Sequence, residues 1–119
     1  MPNLDVDKPA RAGRPGRILA LSSQVVSGAV GLRSAAFALE RRGHAVLPVP
    51  TIVLPWHPGH GRGTAVRPDE AAFAGLLGDL ANAPMAAGID GILTGYFAAP
   101  AQVRAAAALV DAVRAANPA

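Results

Sequence analysis

Ser23 closes a continuous apolar run, Ile18-Leu19-Ala20-Leu21-Ser22. A hydroxyl there could attack a substrate or donate a hydrogen bond to a ligand. No G-x-S-x-G turn surrounds it, so the frame that activates a nucleophilic serine is missing. A ligand contact and a loop cap remain open. His57-Pro58-Gly59-His60 offers two imidazoles. A zinc-type site needs three or four ligands, and a proline between the histidines keeps them off one helical face. No carboxylate lies in that segment, so no metal site is expected. One histidine donating to a ligand, or both lying on the surface, are the readings left. Tyr96 is the only tyrosine; its ring either walls a pocket or covers the core. Gly28-x-x-Gly31 does not have the G-x-G-x-x-G spacing of a dinucleotide loop, and no acidic residue closes the next apolar run to hold a ribose. No G-x-x-x-x-G-K-[ST] phosphate loop occurs either. The two glycines then serve close packing, or let the backbone approach a flat ligand.

These residues need elements to hold them. Arg17–Ser22 reads as a strand buried on both faces, as in a parallel sheet. After a loop, Ser23 to Gly31, the residues Leu32, Ala35, Ala36 and Leu39 recur at helical spacing, with Gly43 as the stop. Residues 45–51 read as a second strand. Its prolines, Pro48 and Pro50, each remove a ladder donor and point to a sheet edge or an early end. A long loop from Ile52 to Val66 follows; loops of that length in small domains tend to be functional or disordered. A second helix opens at Pro68 with Asp69 and Glu70 in its first turn, and Phe73, Leu76, Leu77 and Leu80 form its apolar stripe. A third strand centres on Ile92 and Leu93. A last helix starts near Pro100, with Val103, Ala106, Ala107, Val110 and Val113 inward. The order β-α-β-α-β-α predicts an α/β fold: a three-layer α/β/α sandwich on a parallel sheet with right-handed crossovers. In such sheets ligands bind beyond the carboxyl ends of the strands. The segments at 22–31, 52–62 and 94–97 all fall there, and they carry most of the unusual residues of the chain.

Composition narrows the class. The chain has 119 residues, 51% hydrophobic and 16% charged, which excludes an intrinsically disordered protein. No run reaches the roughly 18 apolar residues of a membrane span, so no membrane association is expected. The first 17 residues hold most of the net charge of +3, and 4% aromatics with a single lysine leave no stacking or phosphate-binding face, so no nucleic acid is expected as partner. Residues 1–16 read as a flexible leader without signal-peptide features, which makes the cytoplasm the expected compartment. With no cysteine, there is no disulfide framework and no thiolate chemistry. The core is rich in alanine, which buries little area per residue. Such a chain is better served as part of a larger body.

Together the strand-end segments resemble the N-terminal part of pyridoxal kinases, members of the ribokinase-like superfamily. Ile18 to Gly31 (ILALSSQVVSGAVG) resembles their opening strand and loop, I-x-S-H-V-x-x-G-x-x-G-N. Ser34-Ala35-Ala36-Phe37 with Gly43 resembles the helix that follows. Thr51-Ile52-Val53-Leu54-Pro55-Trp56-His57 parallels T-V-Q-F-S-N-H-T, and Leu93-Thr94-Gly95-Tyr96 parallels L-[ST]-G-Y. The resemblance covers residues 17–119. It implies ATP-dependent phosphorylation of pyridoxal, the salvage step to pyridoxal 5′-phosphate. It also implies a substrate pocket in which Ser23 contacts the ring, Val30, Ile52 and Leu54 form apolar walls, and His57, Pro58 and Tyr96 complete the lining. Trp56, Pro58, Leu32 and Gln24 depart from the family pattern; Pro58 replaces a threonine hydroxyl.

The family continues with a D-P-V-x-G strand, nucleotide-binding strands and a glycine-rich segment bearing a catalytic aspartate. None of these occurs here. ATP and Mg2+ are implied by the resemblance, but their binding residues are not expected in residues 17–119, nor is a catalytic residue. Asp90 precedes the third strand and so belongs to the wrong end. The chain alone is expected to be inactive, and a homodimer is what the resemblance implies for a complete enzyme. The alternatives are a hydroxymethylpyrimidine kinase-like protein, which would take a similar flat heterocycle, and a non-catalytic α/β binding module.

Overall fold

The computed structural model describes residues 14–118. The expected leader falls largely outside them. Its last residues do not hang free: the Gly16 N–H donates to His44 Nδ1 at 3.0 Å, and the Gly16 carbonyl accepts from the Ala45 N–H at 2.9 Å.

Three parallel strands form the sheet: β1 (Arg17–Val25), β2 (Ala45–Leu54) and β3 (Gly91–Thr94), in the order β2-β1-β3. The helices are α1 (Leu32–Arg41), α2 (Glu70–Asn82) and α3 (Pro100–Ala116), with short 3-10 turns at Pro58–His60 and Pro84–Gly88. Alternation along β1 separates the two faces. Leu19 and Leu21 point to one side and join Val49, Phe73, Leu77, Ile89, Ala106, Leu109 and Val113 in the core cluster under α2 and α3. Ala20, buried to 1% exposure, points to the other side, where α1 packs on β1 and β2. The outcome is the expected three-layer α/β/α arrangement.

Two strands run further than their sequence signals indicate. β1 continues past Ser22 to Val25, so Ser23 lies inside the strand and not in a loop after it. β2 continues past Thr51 to Leu54. The reason is a bulge. Ser22 pairs with Pro50 and Ser23 with Ile52, which leaves Thr51 as an extra residue on β2. The shift lets the ladder resume beyond the prolines. Pro48 and Pro50 do mark an edge strand. They lie two residues apart, so their nitrogens face the same side, and the ladder to β1 runs through the residues between them. Beyond the bulge, Val53 turns its own backbone groups outward, and both are paired with Val66 at 2.8 and 2.9 Å. The segment expected as a structureless loop is thus pinned to the outer edge of β2.

The helices begin and face slightly differently from their patterns. Pro68 stays outside α2. Asp69 is its N-cap, accepting from the Ala72 N–H at 3.1 Å, because a short carboxylate satisfies a free amide best from that position. Leu76, counted in the inward stripe, is 49% exposed, while Phe73 and Leu77 are buried. On α3 the inward residues are Gln102, Ala106, Leu109 and Val113; Val103, expected inside, is 48% exposed, and Ala107 also faces out. No helix among the described residues is long and apolar enough to cross a membrane.

Candidate functional site

Parallel topology sends the carboxyl ends of β1, β2 and β3 to one edge, and a cavity of about 540 Å³ opens there. Ser23, Val30, Ile52, Leu54, His57, Pro58 and Tyr96 all line it. All seven residues singled out for a pocket therefore meet in one place, although they span more than seventy positions of sequence. Val25, Gly31, Ala65 and Arg67 complete the lining.

The bulge that lengthens β2 is what brings its apolar residues here. By placing Ile52 opposite Ser23 and Leu54 opposite Val25, it carries the strand to the cavity wall. Ser23 is half-buried and its hydroxyl makes no hydrogen bond with the described residues, so it is available to a ligand. It packs against Gly31, whose backbone (φ 61°, ψ −132°) is a conformation reserved for glycine. A Cβ on Gly31 would collide with the Ser23 carbonyl oxygen and stand 2.7 Å from its hydroxyl oxygen. Close backbone approach is therefore the role of this glycine.

His57 caps the Pro58–His60 turn: its Nδ1 accepts from the Gly59 N–H at 2.9 Å. The ring hydrogen is then on Nε2, which leaves that nitrogen as a donor. His60 lies with its ring centroid 6.5 Å from that of His57, edge to face, and takes no part in the lining. Trp56 also stays out. Its indole N–H donates to the Gly61 carbonyl at 3.0 Å, so this departure from the family pattern does not touch the cavity. Pro58 does touch it, and presents carbon where a hydroxyl is expected.

Tyr96 is set by a buried polar network. Thr51, fully buried, donates from Oγ1 to the Tyr96 carbonyl at 2.7 Å. Gln102, 3% exposed, donates from Nε2 to the Thr51 carbonyl at 2.8 Å and accepts from the Ala98 N–H at 2.7 Å. Ser22 Oγ accepts from the Tyr96 N–H at 3.3 Å, and the Gly95 N–H reaches the Leu21 carbonyl at 2.8 Å. The extra residue of the bulge is thus the post that anchors the third strand end. Sequence reading missed Gln102 and Arg67. A lone glutamine or arginine between apolar residues reads as a solvated position, and only the fold shows otherwise.

A larger cavity, about 690 Å³, runs beside β3 and the end of α3. It contains Asp90, whose carboxylate accepts from the Arg17 N–H at 2.9 Å at the amino end of β1. That is the end opposite the site, as its position before the third strand indicates. No residue expected in the pocket lies there.

The side chains lining the cavity do not fit the Mg2+ that a complete kinase implies. No acidic side chain lines the 540 Å³ cavity, and among the described residues no three of His, Cys, Asp or Glu come together.

No protein-family model matches the chain. Individual relatives do. It is 35% identical over 103 residues to pyridoxal kinase PdxY of Burkholderia thailandensis, covering 85% of this chain and 35% of that protein. It is 35% identical over 111 residues to pyridoxal kinase PdxY of Pseudomonas paraeruginosa, covering 88% of this chain and 36% of that protein. Among solved structures, pyridoxal kinase from Leishmania donovani in complex with ADP and pyridoxamine superposes with a TM-score of 0.78 at 30% identity, over 84% of this chain and 35% of that one. The Trypanosoma brucei pyridoxal kinase matches at a TM-score of 0.76 and 23% identity, a likeness of fold. The chain is thus similar to pyridoxal kinases over most of its own length and has a ribokinase-like fold. It spans about a third of the length of the relatives it matches.

Proposed function

We propose that this chain forms the pyridoxal-binding part of a ribokinase-like kinase that phosphorylates pyridoxal with ATP. The observation that carries the reading is the convergence of Ser23, His57 and Tyr96, with the Val30, Ile52 and Leu54 walls, on one cavity at the carboxyl edge of the sheet. A slot with an apolar majority and a few aimed polar groups suits a flat, weakly polar heterocycle. Ser23 and the Nε2–H of His57 orient the ring, and Tyr96 closes one side. The relatives named above, one of which holds pyridoxamine, support the choice of vitamer-like ligands.

Phosphoryl transfer needs positioned cations at the phosphates and a group that takes the proton of the attacking hydroxyl. The cavity supplies no carboxylate base. The 119-residue polypeptide is therefore expected to bind pyridoxal without consuming ATP.

Calorimetric titration of pyridoxal into the purified chain tests this. Binding to the wild type is expected, with a threefold to tenfold loss in Ser23→Ala, the usual effect of about 0.5–1.5 kcal/mol for one neutral hydrogen bond. Pyridoxal binding that is equal in wild type and Ser23→Ala would remove Ser23 from the site. Pyridoxal-dependent ATP consumption by the wild type, lost in Ser23→Ala, would show that the residues present do carry chemistry.

A further inference from the structure

We infer that Arg67 makes this cavity selective for a flat heterocycle bearing an anionic substituent, a carboxylate or a phosphate, over the neutral ring. The inference rests on the proposed function, whose pocket it refines.

The argument is one of charge and donor count. Arg67 lines the cavity together with Ser23 and His57. It makes no ion pair and no hydrogen bond with any described residue. No Asp or Glu lines the cavity to neutralise it. The nearest acidic residue in sequence, Asp69, accepts from the Ala72 N–H as the α2 cap. A guanidinium is charged at every physiological pH and presents several N–H donors in a plane that matches two oxygens of one anion. His57 adds another donor, because its Nδ1 is taken by the Gly59 N–H and its hydrogen sits on Nε2. The polar side chains of the lining are therefore rich in donors: Arg67 and the Nε2–H of His57 only donate, and the hydroxyls of Ser23 and Tyr96 can donate as well as accept. A neutral pyridine leaves the guanidinium with water. A ring carrying an anion gives it a paired, charge-assisted contact, stronger than a neutral hydrogen bond. Arg67 also lines the apolar groove on the far side, between the β2 edge and α2, where Phe73 and Leu76 lie. Arg67 thus borders both depressions, and its side chain is exposed. A rim position is exposed to solvent, so the preference should weaken as salt screens it.

The test is a set of titrations on the full 119-residue chain with pyridoxal, 4-pyridoxate and pyridoxal 5′-phosphate, in wild type and Arg67→Gln. The first probe is neutral, the second carries a carboxylate and the third a phosphate. In the wild type at low salt, at least one anionic probe should bind about tenfold tighter than pyridoxal. Which one does so identifies the anion. The ratio should shrink at high salt and fall towards unity in Arg67→Gln. The ratio is the readout, because a general loss of folding would weaken all three probes alike. Pyridoxal binding with no preference for either anion overturns this inference and leaves the proposed function standing. A preference that survives Arg67→Gln also overturns it. Failure of all three probes to bind overturns both.

Discussion

Gly31→Ala is expected to destabilise the fold by about 2–5 kcal/mol, made up of backbone strain and overpacking. A side chain at φ 61° and ψ −132° lies outside the conformations that L-residues favour. Its Cβ would also meet the Ser23 backbone, which is part of the central strand and cannot move aside without breaking the pairing of Ser23 with Ile52. In a chain of this length the melting temperature should fall by roughly 10 °C or more. Pyridoxal affinity should fall with it, because the same displacement moves the Ser23 hydroxyl. Thermal unfolding followed by circular dichroism measures the first effect. A melting temperature within about 2 °C of wild type would show that the Gly31 approach is not tight.

Gln102→Leu is the second large effect. The side chains are close in size, so the core volume is kept. What changes is that the Ala98 N–H and the Thr51 carbonyl lose their partners. Thr51 is fully buried, so its carbonyl has no water to turn to. An orphaned buried group costs about 1–3 kcal/mol, and most of the loss comes from the Thr51 carbonyl, because the Ala98 N–H is only part-buried. Urea titration should show a lower midpoint with an unchanged slope. Thr51→Val should cost less, about 1–2 kcal/mol, since only the bond to the Tyr96 carbonyl is lost and that group is near solvent. An unchanged midpoint in Gln102→Leu would mean that the network does not hold the Tyr96 segment.

Both effects arise at positions the sequence reveals unequally. β1 is legible because a strand covered on both faces needs a continuous apolar run, and Ile18–Leu21 supplies one. The pocket is legible because parallel topology alone brings strand ends together, so Ser23, His57 and Tyr96 could be grouped without knowing their distances. Gly31 is visible as a glycine but not as a clash, which depends on the path of β1. The bulge at Thr51 left no local signal: one extra residue opposite Ser22 and Ser23 is a property of two strands, and neither shows it alone. The inward face of α3 differs from its apolar pattern because alanines surround that helix. With Ala105, Ala106, Ala107 and Ala108 in a row, periodicity has almost no contrast. Gln102 turns inward against its polarity because two backbone groups repay its burial with hydrogen bonds. Arg67 carries no signal of its own, because it reaches the cavity only through the pinning of Val66 to Val53.

That same pinning decides what this sheet can do to its neighbours. β-sheets recruit strands through free edges, and an open-ended fibre needs every molecule to offer two of them, one to receive and one to give. On the β2 side, Pro48 and Pro50 have no N–H to offer and Val53 is already engaged by Val66. An open-ended fibre through this sheet is therefore blocked at the β2 edge, and strand addition there would first require Val66 to be peeled away from Val53.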